Sequence, residues 1–263
     1  MALAFCFLPV CLADEGPDAP PKLTYWRIEF DAAHFTGDYG LTDETALNVL
    51  TTRIRYRKGR SEFRLGLPYL HLDGAASLVG GTPTGEPSGM PGPPAANPST
   101  SESGPGDVSL RFDYDIIQGS SKRPWVTTLL RFKLPTADED KGLGSGEADV
   151  EGGLLFTQPV GRFSLLLEGR LTKLGDPDGV DYKDVRLASA GLAKQLGTRT
   201  QVYGFWEYRS HPIDGREARQ STAIGASRRF GTQGRVRWSA ALYVGLTETS
   251  EDWGVQTNLS REF

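Results

Sequence analysis

The segment from Asp252 to Phe263 combines an alternating pattern with aromatic residues at both ends. Counting back from Phe263, one parity is mostly apolar and runs through Leu259 and Val255 to Trp253, while the other parity is polar. A β-strand places successive side chains on opposite faces, so this pattern predicts a strand with one apolar face. Aromatic residues at both tips of that face are typical of a strand that crosses a bilayer, because they lie at the two water–lipid interfaces.

The same alternation recurs along the rest of the chain, and no amphipathic helical pattern separates the alternating segments. We predict strands at residues 24–35, 46–57, 61–72, 106–117, 123–135, 147–158, 161–173, 184–195, 199–210, 218–230, 234–247 and 251–263. The connections alternate between short and long, which is the plan of a barrel with short periplasmic turns and long outer loops. The predicted fold class is therefore all-β: a single transmembrane antiparallel β-barrel of about 12 strands, of the bacterial outer-membrane type.

The composition excludes two other classes of protein. Hydrophobic residues make up 38% of the chain, and after the N-terminal segment no apolar run approaches the roughly 20 residues that a membrane-spanning helix needs. Barrel strands escape that test because they alternate. A formal net charge of −4 is too small in magnitude to suggest binding to nucleic acid.

The N-terminal residues divide into a leader and a short spacer. Residues 1–13 are apolar and end in small residues, which predicts a signal peptide cleaved before Asp14. A basic start is missing, so the true start of the signal stays open. Both cysteines lie in this leader, so the mature chain would hold no disulfide and no reactive thiol. Residues 14–22 are then a periplasmic segment, and the barrel occupies residues 23–263.

The longest connection, residues 74–105, is rich in Gly, Pro, Ser and Thr and nearly free of charge. Such a composition cannot bury enough apolar surface to order itself, so we predict a long disordered outer loop. A loop that folds inward and narrows the lumen is the less favoured alternative.

The inward-facing parity of the strands is densely charged. On the lipid face such charges would cost a few kcal/mol each near the middle of the membrane, so the lumen must hold them. We predict a lumen lined by Arg53, Arg55, Arg64, Asp113, Asp115, Arg131, Lys133, Asp149, Glu151, Glu168, Arg170, Glu207, Arg209, Arg235 and Arg237. One interpretation is a polarised lumen that orients a passing solute, with one broad basic side made by the second and eleventh predicted strands. The other is a lattice of salt bridges that fills and stiffens the lumen, and the sequence leaves both open.

The sequence predicts neither catalysis nor a bound metal. The three histidines, His34, His71 and His211, lie at predicted outer ends of strands that are not neighbours, so we expect solvated side chains. No nucleophile, zinc, phosphate-loop or dinucleotide motif is present. We therefore predict no catalytic residues, no cofactor, no metal and no enzymatic activity.

Two segments carry a resemblance to a known family. One opens a strand with Gly106 and Asp107; the other runs Lys-Leu-Pro-Thr at residues 133–136, then Leu-Gly-Ser-Gly at 143–146, then Asp149. They resemble the outer-membrane transporter family named for the meta-pathway of phenol degradation, firmly within residues 105–175 and in general layout beyond. The resemblance implies a β-barrel that takes up hydrophobic or aromatic compounds. Phe263 is similar to the C-terminal assembly signal of outer-membrane barrels, which implies a role for it in membrane assembly.

We therefore predict a channel or transporter of the bacterial cell outer membrane that passes small solutes. Its partners would be outer-membrane lipid, a small-molecule solute and the barrel-assembly machinery, without nucleic acid, and its oligomeric state stays open. One alternative is a sealed barrel with a structural or interaction role. A weaker alternative is an outer-membrane enzyme that modifies lipid. A continuous water path through the lumen would separate the channel from the sealed barrel.

Overall fold

The computed structural model describes residues 24–74, 76–79, 82–84, 101–120, 122–177, 181–231 and 233–263. In this part of the chain the strands are β1 (Thr24–Gly37), β2 (Thr45–Lys58), β3 (Ser61–Asp73), β4 (Ser77–Val79), β5 (Thr82–Thr84), β6 (Ser101–Pro105), β7 (Ser109–Ile117), β8 (Trp125–Lys133), β9 (Asp149–Val160), β10 (Phe163–Lys173), β11 (Val185–Leu196), β12 (Thr200–Arg209), β13 (Arg219–Phe230), β14 (Val236–Gly245) and β15 (Trp253–Glu262). None of the described segments is a helix long and apolar enough to span a membrane. The predicted signal peptide and periplasmic segment, residues 1–22, lie outside the described residues.

All the strands except β4 and β5 form one antiparallel sheet that closes on itself. The closure is the pairing of β1 with β15, which runs from Arg27 opposite Glu262 to Thr36 opposite Trp253. Strands β6 and β7 both pair with β3 and share one position in the wall. The barrel therefore has 12 wall positions, and the predicted fold class is confirmed.

The wall position shared by β6 and β7 is interrupted between the two strands. Strand β6 ends at Pro105, whose nitrogen has no hydrogen to donate to the ladder. The N–H of Gly106 then donates to the carbonyl oxygen of Pro68 at 3.0 Å. The wall thus continues through the break, at the sequence where the family resemblance begins.

Glycine makes the short turns possible. Gly59, Gly161 and Gly197 have φ angles of 60, 62 and 72°. This left-handed region is open to glycine and costly for residues with a Cβ. The chain can therefore reverse within a few residues at this end of the barrel, while the other end carries the long loops.

Exposed apolar side chains cover the outer face of the barrel. Leu242 is 60% exposed, Leu259 49% and Leu130 40%, as expected of side chains that face lipid, and Val126 and Val236, which share the outward parity of their strands, are half-buried. Exposed aromatic residues lie near both ends of the strands: Trp26, Phe63, Tyr114, Phe163, Phe230, Trp238 and Phe263 toward the short turns, and Tyr69, Phe132 and Trp253 toward the long loops. Two aromatic girdles around an apolar band match the profile of a bilayer.

The connection after β3 differs from the predicted disordered loop at both of its ends. Strands β4 and β5 pair as a short hairpin, and β6 pairs with β3 as part of the wall. Leu78 and Val79 are 2% and 3% exposed, because they pack among apolar residues inside the outer mouth. The predicted disorder followed from the average composition of residues 74–105. A few apolar residues at the start of this segment, Leu78 and Val79 among them, are enough to order that end. The middle of the connection lies outside the described residues.

Candidate functional site: the barrel lumen

A network of buried ion pairs lines the lumen along β1, β2, β3 and β7. Its centre is Glu62, which is 1% exposed. The guanidinium of Arg55 lies 3.5 Å from the Glu62 carboxylate and that of Arg57 lies 3.8 Å from it. Arg64 donates to the same carboxylate, and so does the hydroxyl of Tyr25, at 3.0 Å. One carboxylate therefore holds three arginines from two neighbouring strands.

Further ion pairs extend this network, here called the ion-pair ladder, as far as β10. Their nitrogen–oxygen distances are 2.8 Å for Arg27–Glu262, 2.5 Å for Arg53–Asp31, 2.9 Å for Arg55–Glu29, 3.1 Å for Arg64–Asp113, 2.6 Å for Arg111–Asp113, 3.6 Å for Arg131–Glu151, 3.0 Å for Lys133–Asp107, 3.1 Å for Lys133–Asp149, 3.5 Å for Arg170–Glu151 and 2.6 Å for Arg170–Glu168. Arg57 also pairs with Asp115. The prediction of one broad basic side is wrong, because Glu29, Asp31 and Glu62 neutralise the arginines there. The lattice interpretation holds for this part of the wall.

The rest of the lumen contains a cavity. It has about 1000 Å³ of empty space, its opening to solvent included, and its lining extends from Arg27 and Ser260 near the periplasmic strand ends to Glu207 and Tyr243 nearer the outer ends. Its charged side is formed by Arg27, Glu29, Arg53 and Arg55 of β1 and β2. The facing side comes from β10 to β15 and includes Leu166, Ala193, Tyr203, Phe205 and Tyr243, together with Glu168, Glu207, Arg237 and several serines. The cavity thus has a charged side and a side rich in aromatic and small residues.

Aromatic rings lie flat against the wall because glycines stand opposite them. Tyr203 is the cross-strand partner of Gly225, and Phe35 is the partner of Gly254. A Cβ at Gly225 would lie 2.5 Å from Cζ of Tyr203, and a Cβ at Gly254 would overlap the ring of Phe35. Phe35 in turn contacts Tyr243 edge-on, at a centroid distance of 5.3 Å. The two glycines therefore keep these rings out of the centre of the lumen.

Apolar side chains pack together in the outer part of the lumen. Leu78 belongs to a buried cluster with Leu47, Val49, Leu70, Leu72 and Leu143. Val79 belongs to a second one with Leu174, Tyr182 and Val185. The N–H of Leu78 donates to the carbonyl oxygen of Gly142 at 2.9 Å, which ties the segment after β3 to the loop between β8 and β9. We call this assembly the outer closure.

Two residues of the outer loops are buried beside the outer closure. Tyr39 is 2% exposed with a φ of 51°, and burial raises the pKa of its hydroxyl. The guanidinium carbon of Arg219 lies 5.4 Å from its ring centroid. His211 is 8% exposed, and its Nδ1 accepts a hydrogen bond from the N–H of Ile213 at 3.1 Å. Burial lowers the pKa of His211 to about 4, so the prediction of a solvated His211 is wrong.

A comparison with protein-family models matches residues 23–263 to the family described as "Putative MetA-pathway of phenol degradation". The chain belongs to this family. The match extends the resemblance noted around residues 105–175 to the whole barrel.

Two solved structures similar to this MetA-pathway family member are both described as channels. The COG4313 outer membrane channel from Pseudomonas putida F1 is 16% identical, with 94% of this chain and 97% of that chain covered and a TM-score of 0.71. The CymD monoaromatic hydrocarbon channel is 10% identical, with 91% and 87% covered and a TM-score of 0.48. A search of the curated proteins found no match. The closed barrel and its two aromatic girdles around an apolar band place this family member in the bacterial outer membrane.

The structure separates the predicted lumen residues of this family member into three groups. Arg53, Arg55, Glu168, Glu207 and Arg237 line the large cavity. The ion-pair ladder contains Arg64, Asp113, Asp115, Arg131, Lys133, Asp149, Glu151 and Arg170. A smaller cavity of about 220 Å³ is lined by four of these, Arg131, Lys133, Asp149 and Glu151, together with Arg209. Arg235 is exposed in a short turn, before β14 begins at Val236. The prediction that it faces the lumen is wrong, because strand alternation does not yet apply there.

Sequence reasoning missed the aromatic side of the cavity. The segment Val202–Tyr208 carries aromatic residues on both parities, so alternation did not distinguish inner from outer rings. In the structure Tyr203 and Phe205 line the cavity, while Trp206 is 38% exposed on the outer face. The distinguishing signal is the glycine opposite Tyr203, and it becomes visible only when the register of β12 and β13 is known.

Proposed function

We propose that this protein is an outer-membrane channel for small solutes and that its lumen favours aromatic molecules carrying a polar substituent. The observation that supports the proposal is the two-sided cavity, in which an aromatic side faces a charged side. Membership of the phenol-degradation family is consistent with a solute of this class.

The aromatic side offers contacts for the ring of such a solute. Phe205 and Tyr243 lie with their centroids 5.8 Å apart and their planes at 68°, and Tyr203 lines the same side. Aromatic pairs prefer edge-on and offset arrangements, which add about 0.5–1.5 kcal/mol to the free energy of burial. A small aromatic solute would therefore gain both burial and ring contacts here.

The charged side offers donors for the polar substituent. Arg55 donates from Nη2 to Glu29 and its Nη1 lies 3.5 Å from the Glu62 carboxylate, while its Nε has no hydrogen-bond partner among the described residues. A buried donor without a partner costs about 1–3 kcal/mol. A hydroxyl or carboxylate oxygen of a solute that approaches Arg53 and Arg55 would supply acceptors on this side.

The outer closure favours the same class of solute. A solute that enters from outside must displace or pass apolar side chains such as Leu78 and Val79. A hydrophilic molecule would lose its water there without gaining polar partners, whereas an aromatic ring is transferred into apolar surroundings favourably.

The proposal is tested by ion current through the purified barrel in a planar bilayer. Phenol should interrupt the current at a frequency that rises with its concentration, and cyclohexanol, which has a ring and a hydroxyl without aromaticity, should interrupt it less often. The double change Tyr203→Leu and Phe205→Leu should remove the difference. Trp206→Leu, on the lipid face of the same strand, is the matched control. Equal responses to phenol and cyclohexanol in the unchanged protein would contradict the aromatic preference.

The sealed barrel is a second candidate, because the ion-pair ladder and the outer closure both fill the lumen. This candidate predicts no ion current from the unchanged protein. It also predicts leakage after Glu62→Gln, since three arginines would lose their shared carboxylate and repel one another.

The remaining parts of the proposal concern assembly. We propose export through a signal peptide in residues 1–13 of a Gram-negative cell and insertion by the barrel-assembly machinery with Phe263 as signal. Phe263 is 57% exposed, and its N–H donates to the carbonyl oxygen of Trp26 at 2.9 Å. We propose no catalytic activity. Loss of Phe263 should lower the amount of heat-modifiable barrel recovered from outer membranes.

A further inference from the structure

The exposed charges of the barrel differ between its two ends. In and beside the short periplasmic turns, every exposed charged side chain that the structure describes belongs to Lys or Arg. The carboxylates at that end, such as Glu62 and Glu262, are buried in the lumen. The exposed charges of the long loops are predominantly acidic, as in residues 138–140. The two ends therefore present opposite charges to their surroundings.

Three of the basic residues at the periplasmic end lie on the lipid side of the strands. Lys194, Arg228 and Arg261 are exposed and share the outward parity of β11, β13 and β15. Each has an exposed apolar residue two positions away on the same face: Leu192 and Leu196 beside Lys194, Phe230 beside Arg228, Leu259 and Phe263 beside Arg261. These three residues, here called the cation row, therefore contact the membrane at the edge of its apolar band.

Girdle aromatics fix the depth of the cation row. The ammonium of Lys194 lies 5.3 Å from the ring centroid of Phe163. The guanidinium carbons of Arg228 and Arg261 lie 5.8 and 5.0 Å from the rings of Phe230 and Phe263. Since interfacial aromatics lie at the level of the lipid headgroups, the three charges lie there too.

No described carboxylate compensates the charge of the cation row. The ion pairs among the described residues lie in the lumen and in the outer loops, and none of them involves these three side chains. A cation beside lipid tails is stabilised when its long side chain reaches toward anionic groups at the interface. At this depth the available anions are lipid phosphates.

We propose that the cation row is a binding surface for phospholipid phosphate in the periplasmic leaflet and that it prefers lipids with a net negative charge. The phosphate of an anionic phospholipid would complete charge pairs that the described residues do not supply. Binding is independent of the channel function, because the cation row lies outside the lumen.

The test measures lipid retained by folded barrel reconstituted in vesicles of phosphatidylethanolamine with or without phosphatidylglycerol, then extracted in mild detergent. The unchanged protein should retain phosphatidylglycerol preferentially and unfold at a higher temperature in vesicles that contain it. The triple change Lys194→Gln, Arg228→Gln and Arg261→Gln should lose both effects, with a fall in preference of about 5-fold for each cation removed.

Two matched variants distinguish the position of the cation row from the net charge of the protein and from the identity of the basic side chain. Lys141→Gln, Lys183→Gln and Arg216→Gln change the net charge equally in the outer loops, beyond the ends of the strands, and should keep the full preference. Arg228→Lys with Arg261→Lys should also keep it, because the interaction depends on charge. Undiminished preference in the triple variant, or an equal loss in the outer variant, would overturn the proposal. If the triple variant does not insert, lipid retention by each single variant decides the question.

Discussion

At the scale of single residues, the lumen depends on positions where one side chain determines the place of several others. Glu62 holds three arginines, and Gly225 provides the space in which the Tyr203 ring lies. Glu62 could be predicted to face inward from strand parity, but its pairing with Arg55 and Arg57 could not, because they come from the neighbouring strand. The function of Gly225 likewise depends on a residue more than twenty positions earlier in the chain.

Replacing Gly225 with alanine should narrow the cavity. The new Cβ would lie 2.5 Å from Cζ of Tyr203 and 2.6 Å from the carbonyl oxygen of Ala240, so the ring must swing into the lumen. We expect a lower single-channel conductance and a loss of about 1–3 kcal/mol in the free energy of unfolding. Gly204→Ala on β12 is the control, since its Cβ would meet no atom closer than 3.4 Å. Unchanged conductance in the Gly225 variant would show that Tyr203 does not limit the bore.

Replacing Glu62 with glutamine should destabilise the barrel strongly. Arg55, Arg57 and Arg64 would then lack the shared carboxylate, and breaking a buried pair from one side costs about 3–5 kcal/mol. Urea-induced unfolding in lipid vesicles measures this loss. Glu102→Gln breaks the more exposed pair with Lys141, which spans 3.9 Å, and should cost no more than about 1 kcal/mol. Similar costs for the two variants would mean that the ion-pair ladder is well hydrated.

At the scale of secondary-structure elements, strands and loops differ in how far their sequences determine them. The alternation of apolar and polar residues predicted the strand boundaries to within a few residues. It does so because one face of each strand meets lipid and the other meets the polar lumen, so successive residues must differ in polarity. The outer closure could not be predicted in this way, since Leu78, Leu143 and Leu174 come from three different connections. Leu143 and Leu174 are single apolar residues in polar segments, Leu78 has only Val79 directly beside it, and only the closed barrel brings the three together.

The two faces of β14 should respond differently to an added charge. Leu242 is 60% exposed on the lipid face, and Leu242→Arg should cost about 2–4 kcal/mol near the middle of the membrane. Ser239 lines the cavity on the opposite parity, so Ser239→Arg should cost less because its charge meets water. The comparison requires unfolding free energies in the same vesicles. Equal costs would contradict the register of β14.

The loop after β12 should loosen in acid. The folded pKa of His211 is about 4, below its usual value near 6.5, so the folded loop binds fewer protons than the open one. The closed loop is therefore fully stable above pH 6.5, loses stability as pH falls from 6.5 to 4, and changes no further below 4. A spin label at Asp214→Cys should gain mobility over this window. His211→Asn, which can still accept a hydrogen bond from the N–H two residues later, should abolish the pH dependence, and a persistent transition would assign it to another group.

At the scale of the whole molecule, the exposed charged side chains differ between the two ends of the barrel. They are basic at the periplasmic turns and predominantly acidic at the long loops. The sequence already contained this asymmetry, because short and long connections alternate and their charges can be read separately. To determine which of these charged side chains face lipid, water or the lumen, the register of the strands had to be known.

An open channel with this asymmetry should conduct unequally in the two directions. Acidic loops concentrate cations at one mouth and basic turns concentrate anions at the other, so reversing the voltage changes the current. The inequality should shrink in 1 M salt, where the screening length falls to about 3 Å. Current–voltage curves of singly inserted barrels at low and high salt measure it. A symmetric curve at low salt would show that the rim charges lie too far from the conduction path.

The seam between β1 and β15 joins the two ends of the barrel sequence, as in the ion pair of Arg27 with Glu262, which are 235 residues apart. Bringing such distant residues together carries an entropy cost of about 5 kcal/mol for an unstructured chain. Intermediates that lack the seam would expose two unpaired strand edges and be prone to aggregation. We therefore expect closure to be the final cooperative step of folding and its reversal to be the first step of unfolding. Weakening the seam should accelerate unfolding while leaving the earlier pairing of neighbouring hairpins at its normal rate.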